Sequence, residues 1–364
     1  MNKLPKNWQE YKLKDLCVIN YGKGLGKSNI VNGNIPVYSS GGIIGFHNTY
    51  NVNSEGVIIG RKGNAGSVFY SDKPFFCIDT AFYIEPNNQY DLKYLFYKLV
   101  SMNLKNHKTG TAIPGLIRND IYKLSISIPP LEEQKRIASA LSKIDAYLEN
   151  TIKLIEEKER FKRGIAKKLL TCKEGENIPE ARFKGFEDEW KTKTLENICK
   201  NIKTGKLNAN AMEKYGQYRF YTCAKDYYKI NTYAFDGEAI LISGNGAHVG
   251  YVHYYNGKFN AYQRTYVLMD FTENILFIKY YLDIHLKYKI NIENNKGNVP
   301  YIVLNTIKDM EIKFPSLEEQ EKIGGYLSLL DAEIDNLKKQ KELIKEIKRG
   351  AMQKLLSGEV RLLE

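Results

Sequence analysis

The stretch Pro130-Leu131-Glu132-Glu133-Gln134-Lys135-Arg136-Ile137 returns, with three changes, as Ser316-Leu317-Glu318-Glu319-Gln320-Glu321-Lys322-Ile323. The offset is 186 residues, and at that offset 18 of the 42 positions in 131–172 are identical to those in 317–358. Chance would leave only a handful of identities, so the chain contains an internal duplication.

The duplication extends upstream of both stretches. Gly60 and Gly66 match Gly244 and Gly250 at an offset of 184. The small drift in offset indicates short insertions, which loops tolerate best. Each repeat therefore consists of about 130 residues of mixed pattern followed by about 42 residues of helical pattern.

The helical stretches each carry a heptad seam, in which the seam residues alternate four and three positions apart. The first seam is Ile137, Leu141, Ile144, Leu148, Thr151, Ile155, Lys158, Lys162, Ile165 and Leu169, and the second is Ile323, Leu327, Leu330, Ile334, Leu337, Lys341, Ile344, Lys348, Ala351 and Leu355. Ser316 and Glu319 match a capping box at the start of the second helix. Gly175 and Gly358 are the predicted stops.

A helix of 39 residues is about 58 Å long at 1.5 Å per residue, and most of its circumference here is polar, so it needs a partner to persist. If a pseudo-two-fold axis relates the repeats, the two helices pair antiparallel within the chain. Lys158, Lys162, Lys341 and Lys348 make the seam imperfect. A coiled coil between two chains is the alternative.

The two stretches of mixed pattern predict α+β domains. Short β-branched or aromatic runs bounded by Gly, Asn and Ser predict strands. They are residues 56–60, 67–70, 124–128, 239–242, 266–268 and 310–314, and helices are predicted at 91–102 and 276–286.

The segments Gly60–Gly66 and Gly244–Gly250 share their glycines and flanking apolar runs but differ at their polar positions. A shared backbone with different projecting side chains is suited to two domains that each recognise a different sequence. Plain drift after duplication is the alternative.

The charge balance suits a polyanionic partner such as nucleic acid. Lys and Arg number 54 and Asp and Glu 42, which gives a net charge of +12. Because 44 of the 54 basic residues are Lys, the compositional bias of an AT-rich genome is the competing explanation.

Other classes of function find little support. The five cysteines, Cys17, Cys77, Cys172, Cys199 and Cys223, have no CxxC spacing, and the five histidines form no HExxH pair, so neither a disulfide framework nor a zinc site is expected. Gly22–Ser28 resembles a phosphate-binding loop, but the first Gly of that motif would fall at Tyr21.

No apolar run reaches the roughly 20 residues of a membrane span, and the N-terminus lacks the apolar core of a signal peptide. We therefore expect a cytoplasmic, non-catalytic protein.

The chain resembles the DNA-specificity subunits of type I restriction–modification systems over nearly its whole length. The most specific residues are the two Leu-Glu-Glu-Gln helices, which end in Lys162-Arg163-Gly164 and Lys348-Arg349-Gly350. Pro179–Phe186 with Trp190, and Gly110–Leu116, also look like that family. The second half departs from the Gly-Thr-Ala-Ile-Pro form at Gly297–Tyr301.

The resemblance implies two target-recognition domains, 1–129 and 174–315, separated by two spacer helices, 130–173 and 316–358, that form an antiparallel coiled coil. Each domain would read one half of a split, asymmetric site in double-stranded DNA. Two modification (methyltransferase) subunits that carry S-adenosylmethionine and methylate adenine would dock on the helices. Restriction subunits would add the nuclease, driven by ATP and Mg²⁺. This chain would hold no cofactor or metal itself.

Loops of each domain are expected to enter the major groove, where cations hold phosphates and polar side chains read base edges. The candidate DNA contacts are Lys27, Arg61, Lys62, Asn64, Lys108, Thr109, Arg118, Lys206, Asn208, Asn245, His248, Arg264 and Lys296. A coiled-coil scaffold whose globular halves bind protein or glycan is the alternative from another class. An enzyme would require activity from this chain alone.

Overall fold

The computed structural model describes residues 5–107, 115–293 and 301–362. The chain divides into two units. The first combines Met1–Ile152 with Lys339–Glu364, and the second is Lys153–Lys338. Each unit therefore contains part of both long helices, and we call the rest of each unit its head.

The elements follow the duplicated order of the sequence. Up to the end of the first long helix they are β1 Gln9–Lys12, α1 Leu13–Leu16, β2 Asn20–Tyr21, β3 Ile35–Ser39, β4 Gly42–His47, β5 Gly56–Gly60, β6 Val68–Ser71, β7 Phe76–Cys77, β8 Ala81–Ile84, α2 Leu92–Ser101, α3 Arg118–Tyr122, β9 Ser125–Ile128 and α4 Leu131–Leu170. The rest are β10 Lys191–Thr194, α5 Leu195–Ile198, β11 Cys199–Thr204, β12 Tyr218–Tyr221, β13 Tyr228–Ile230, β14 Phe235–Ser243, β15 Val252–Ala261, β16 Thr265–Phe271, α6 Ile275–Glu293, α7 Leu304–Lys308, β17 Glu311–Phe314 and α8 Leu317–Ser357. Short 3₁₀ helices lie at Lys27–Asn29, Leu104–His107 and Ala209–Ala211.

The two heads are built on the same plan, and the predicted α+β class is confirmed. The first head has sheets of strand order β2-β8-β5-β6 and β4-β3-β7, with a separate β1-β9 pair. The second has one six-stranded sheet, β11-β16-β14-β15-β12-β13, and a β10-β17 pair. The difference arises because β14 and β15 are long, uninterrupted strands, whereas the corresponding segments of the first head are divided into shorter strands.

The long strand pair of the second head contains two glycines that face each other. Gly237 and Gly257 are partners across the β14–β15 pair and have φ values of +123° and +131°, which side chains other than glycine rarely allow. The end of β12 pairs with the end of β15 and so lies beside the start of β16, where the Thr265 hydroxyl donates to the Tyr221 carbonyl at 3.4 Å.

The predicted strands are confirmed, with end points that shift by up to a few residues. The helix predicted at 91–102 is α2, and the Asp91 carboxylate caps it by accepting from the Tyr94 amide at 2.7 Å. The helix predicted at 276–286 is longer, because α6 continues to Glu293.

The long helices pack antiparallel in each unit, as predicted. In the first unit, Leu356 near the end of α8 shares the core with Ile137 and Leu141 near the start of α4. In the second, Leu170 at the end of α4 shares the core with Leu327 near the start of α8.

The repeated glutamines of the Leu-Glu-Glu-Gln motif join the start of each long helix to its head. The side chain of Gln134 donates to the Pro129 carbonyl at 2.9 Å and accepts from the Asp91 amide at 2.9 Å. Gln320 makes the equivalent bonds, to Pro315 at 3.0 Å and from the Asn274 amide at 3.0 Å. The motif thus sets where α4 meets α2 and where α8 meets α6.

The second glutamate of each motif is buried and paired with arginine. Glu133 accepts from Arg361 at 2.6 and 2.7 Å, and Glu319 accepts from Arg182 at 2.9 and 2.8 Å. The capping box predicted at Ser316 and Glu319 is therefore only half formed. The Ser316 hydroxyl accepts from the Glu319 amide at 3.5 Å, but the carboxylate faces Arg182, because a buried charge needs a charged partner.

The predicted helix stops have different outcomes. Gly358 follows the last residue of α8 with φ of +76°, as predicted. Gly175 was the wrong stop, because α4 already ends at Leu170. The Leu170 carbonyl is satisfied from the head instead, by His285 Nε2 at 2.8 Å, so no glycine is needed at that end.

Candidate nucleic-acid interface

The first head gathers three other segments of the chain around the turn that follows β5. The amides of Arg61 and Lys62 donate to the Thr80 carbonyl at 2.8 and 3.1 Å, and the Leu116 amide donates to the Arg61 carbonyl at 2.8 Å. The Gly22 amide donates to the Ala81 carbonyl at 3.1 Å. Candidate residues far apart in sequence are therefore held on one surface.

Two of the predicted contacts, Arg61 and Arg118, share the exposed ring of Tyr21. Their guanidinium carbons lie 4.9 and 4.7 Å from its centroid. Arg61 Nη1 also donates to the Asp79 carbonyl at 3.0 Å, and Arg118 Nη1 donates to the Ile19 carbonyl at 3.4 Å. Stacking and hydrogen bonding fix both positive charges in place, as a site for a polyanion requires.

Lys62 and Asn64 are exposed on the turn itself. The turn needs its glycines, because a Cβ at Gly60 would lie 2.4 Å from the Asn64 carbonyl oxygen, and Gly66 has φ of +84°. The backbone is thus fixed while the two polar side chains project outward.

In the second head, the turn after β14 borders a cleft of about 450 Å³. The lining residues are Thr204, Gly244, Asn245, Gln263, Arg264, Tyr266, Tyr301 and Ile302. The Gly244 amide donates to the Arg264 carbonyl at 2.8 Å, and the Ile302 amide donates to the Gly244 carbonyl at 2.9 Å. Two predicted contacts, Asn245 and Arg264, therefore lie on one cleft, and the half-buried His248 lies on the same turn.

The other two described candidates of this head lie after β11. Lys206 and Asn208 are both exposed. Lys206 follows Gly205, whose amide donates to the Thr265 carbonyl at 3.2 Å. A Cβ at Gly205 would lie 1.9 Å from the Ala261 carbonyl oxygen, so this segment has to run close against the end of β15.

Four candidates fall wholly or partly outside the described residues. These are Lys108, Thr109 and Lys296, together with the side chain of Lys27, whose backbone belongs to the first 3₁₀ helix. Gly115 and Tyr301, at the ends of the family-like Gly110–Leu116 and Gly297–Tyr301 stretches, are described, and they pair with Lys62 and Asn245 as isolated bridges.

Backbone hydrogen bonds correct the alignment of the two turns. The Gly66 amide donates to the Gly60 carbonyl, and the Gly250 amide donates to the Ser243 carbonyl, both at 2.8 Å. Gly60 is therefore equivalent to Ser243, one residue before the Gly244 predicted from sequence, and the second turn is one residue longer.

The same bonds identify which side chains occupy equivalent places. Lys62 and Asn245 each form the bridge just described. Asn64 and His248 each accept through their carbonyls from the residue three positions later, at 3.2 and 3.0 Å. Their backbones match while their side chains differ in charge and hydrogen-bonding groups.

The sequence did not predict one further segment of each site. This segment is the turn after β3 in the first head and the turn after β12 in the second. The Ser40 amide donates to the Thr80 hydroxyl at 3.4 Å. In the second head, Cys223 Sγ lies 3.3 Å from the Arg264 carbonyl oxygen. These turns reach the site through the parallel β3–β7 and β12–β15 pairings, which leave no local pattern in the sequence.

The thiols contribute no metal site in the described ranges. No group of three or more His, Cys, Asp and Glu residues there could hold a metal ion. All five cysteines are free. Burial raises the pKa of Cys17 and Cys77 to about 12 and that of Cys199 to about 11, so these three stay protonated and unreactive at neutral pH.

Across residues 5–107, 115–293 and 301–362, no helix has the length and apolar character needed to cross a membrane.

The chain matches the family described as the type I restriction modification DNA specificity domain at residues 5–157 and again at 187–346. The EcoDI specificity subunit of Escherichia coli is 40% identical over 170 residues, which cover 46% of this chain but only 37% of that protein. The MjaVIII specificity subunit of Methanocaldococcus jannaschii is 27% identical over 343 residues, covering 85% of this chain and 80% of that one. The crystal structure of the S subunit of a type I restriction–modification system from M. genitalium superposes with a TM-score of 0.74 over 97% of both chains, at 23% identity.

Proposed function

The chain belongs to the family of type I restriction modification DNA specificity domains, and on that premise we propose that it is the subunit that selects the DNA site for such a system. Each head reads one half of a bipartite, asymmetric duplex site. The observation that carries this proposal is the pair of equivalent turns with unlike side chains, Lys62 and Asn64 in one head and Asn245 and His248 in the other. Equal backbones with different polar groups are what two unequal half-sites require.

Positive charge and base-reading groups lie together on each head, and in this proposal the fixed Arg61 guanidinium provides both. The fixed guanidinium groups of Arg61 and Arg118 supply positive charge at the surface of the first head, and Lys206 and Arg264 do so in the second. The turns after β5 and β14 present amide and imidazole groups that match base edges in the major groove. If both heads approach one face of the duplex, the expected separation of the half-sites is about one helical turn, roughly 34–36 Å.

The long helices dock two modification subunits. Supporting this, Phe161 on α4 and Ile347 on α8 occupy equivalent positions at the offset of 186 and are 53% and 52% exposed. Leu154 on α4 and Leu343 on α8 are also 41% and 57% exposed, and exposed apolar side chains that lie together on a helix face favour protein binding. One such face lies in each unit, so two copies of one partner find equivalent surfaces.

Catalysis belongs to the partners in this proposal. The modification subunits supply S-adenosylmethionine and methylate adenine, and the restriction subunits supply the ATP- and Mg²⁺-dependent nuclease. This chain contributes site selection alone.

Selection from random duplexes tests the proposal. The full chain, alone and assembled with its modification subunits, is incubated with a random duplex pool, and the bound DNA is sequenced. Two short, unlike motifs at one fixed separation are expected, most strongly with the partners present. No enrichment in either sample, or capture of protein or glycan instead of duplex, would show that the heads have another ligand.

A further inference from the structure

In the first unit, side chains from three helices meet at Asp145. The hydroxyl of Tyr97, on α2, donates to Asp145 Oδ2 at 2.7 Å, and the ammonium of Lys348, on α8, lies 2.5 Å from Asp145 Oδ1. Tyr97 is 2% exposed. Because Asp145 belongs to α4, this joint connects the head to both long helices at once.

The second unit repeats the joint with the long helices exchanged. The hydroxyl of Tyr280, on α6, donates to Asp331 Oδ2 at 2.6 Å, and Lys162, on α4, donates to Asp331 Oδ1. Asp331 is on α8. Equivalent carboxylate oxygens contact a tyrosine and a lysine in both units, and Asp331 Oδ2 also lies 3.9 Å from the ammonium of Lys279.

The joints explain two of the four lysines that interrupt the heptad seam. Replacing such ion pairs with apolar residues often costs no stability, and their best-attested use is to specify register and orientation. Burial alone would raise the pKa of Asp331, but hydrogen bonds from Lys162 and Tyr280 hold it below its ordinary value. The carboxylate is therefore ionised when both partners are in place.

Other ion pairs of the long helices differ in kind. Lys158–Glu333, at 2.7 Å, and Lys338–Glu159, at 2.8 Å, contain no head residue, and their side chains are more exposed. Exposed pairs of this sort contribute little. They join helix to helix, whereas the Asp145 and Asp331 joints also fix where the head sits.

We propose that these two joints, Tyr97–Asp145–Lys348 and Tyr280–Asp331–Lys162, set the angle of each head on the helix pair and thereby the number of base pairs allowed between the half-sites. The inference rests on the proposed function and assigns spacer selectivity to residues remote from the DNA-facing turns. Tyr97 and Tyr280 are positioning residues.

Methylation of a spacer series tests the proposal. The half-sites are first read from the wild-type complex, and plasmids are then built with spacers of the preferred length and one or two base pairs shorter and longer. The complexes compared are wild type, Tyr97→Phe and Tyr280→Phe, each of which removes one hydroxyl. Loss of a hydrogen bond to a charged group is worth about a factor of ten. Each variant should lower the preference for the correct spacer by about that factor, with unchanged half-site letters.

Tyr90→Phe is the matched control, because this buried hydroxyl donates to the Glu85 carbonyl at 2.7 Å within the same head and contacts neither long helix through that bond. It should keep the wild-type spacer preference. If a tyrosine variant yields no methylation, Lys348→Arg, which keeps the charge but changes the geometry, is measured instead and should also relax the spacer. Unchanged spacer preference in a folded joint variant, or altered half-site letters, would overturn the proposal. Absence of any bipartite motif in the wild type would instead count against the proposed function.

Discussion

Arg61 is held by its neighbours within the first head. Its guanidinium stacks on Tyr21 and donates to the Asp79 carbonyl through Nη1, and we propose that its other N–H groups contact DNA. A guanidinium in a fixed position can donate two parallel bonds to guanine.

We therefore predict that Arg61→Ala weakens binding to the preferred site by about 1–3 kcal/mol and relaxes one base position. Selection from random duplexes with the variant complex measures both effects. Lys123→Ala is the control, because that exposed cation is paired with Asp120 at 2.8 Å. Equal weakening on every sequence would make Arg61 a phosphate contact instead.

Lys98 closes the last turn of α8 from the head, where its ammonium donates to the Leu356 carbonyl at 2.6 Å. Burial lowers the pKa of Lys98 to about 8 from an ordinary 10.5. The unfolded chain then binds more protons than the folded chain between these two values, so this lysine makes folding more favourable as pH rises through that window.

The expected result is that the unfolding free energy of wild type, relative to Lys98→Met, increases by about 3 kcal/mol between pH 7.5 and pH 10.5. Urea denaturation of both proteins across that range measures the difference, and other titrating groups cancel because they are common to both. If the difference in unfolding free energy between the two proteins stays constant or decreases over this pH range, Lys98 keeps its ordinary pKa.

Residue roles were only partly predictable from sequence. The lysines on the seam could be recognised as irregular, but their partners Asp145 and Asp331 follow from the way two distant helices meet. The fixed position of Arg61 depends on Tyr21, forty residues away in the chain and without a local signal. Ser40 and Cys223 reach the site through parallel strand pairing, which has no signature in nearby residues.

At the scale of elements, the heptad seam predicted both long helices, and the duplication, read as a pseudo-two-fold repeat, predicted that they pack antiparallel, since a long polar helix needs a partner. The stop at Gly175 was wrong because His285 satisfies the Leu170 carbonyl from another element. The predicted equivalence of Gly60 with Gly244 is wrong by one residue, because the backbone hydrogen bonds, and not glycine identity, mark Ser243 as the equivalent position.

The helices can be lengthened to test their role as a spacer. Seven residues added after Ile152 in α4 and seven after Lys338 in α8, at the boundaries between the units, add about 10 Å of helix. We predict a site whose spacer is longer by about 3 base pairs, with both half-sites unchanged, as read from the methylation motif of cells that carry the variant. Insertion of seven residues in α4 alone is the control. It should disrupt activity because the two long helices then differ in length and their seam residues no longer face each other. Changed letters in either half would contradict the role of spacer.

At the scale of the whole molecule, the duplication is the feature that sequence revealed most fully. Equivalent elements recur in the same order, and equivalent joints, caps and glutamine bonds recur in both units. The heads differ in how their strands are divided between sheets and in the lengths of α2 and α6, and their equivalent turns carry unlike side chains, Lys62 and Asn64 or Asn245 and His248. The bases that these side chains read do not follow from their identity, because docking geometry decides which edge each one meets.

The central claim, that two unlike heads of one chain select a divided DNA site, is tested most directly by the adenine methylation pattern of the host genome with this gene intact and deleted. We predict one bipartite motif with two unequal halves around a fixed, unread spacer, present in the intact strain and absent from the deletion strain. A continuous motif, or a bipartite motif that persists after deletion, would contradict the claim.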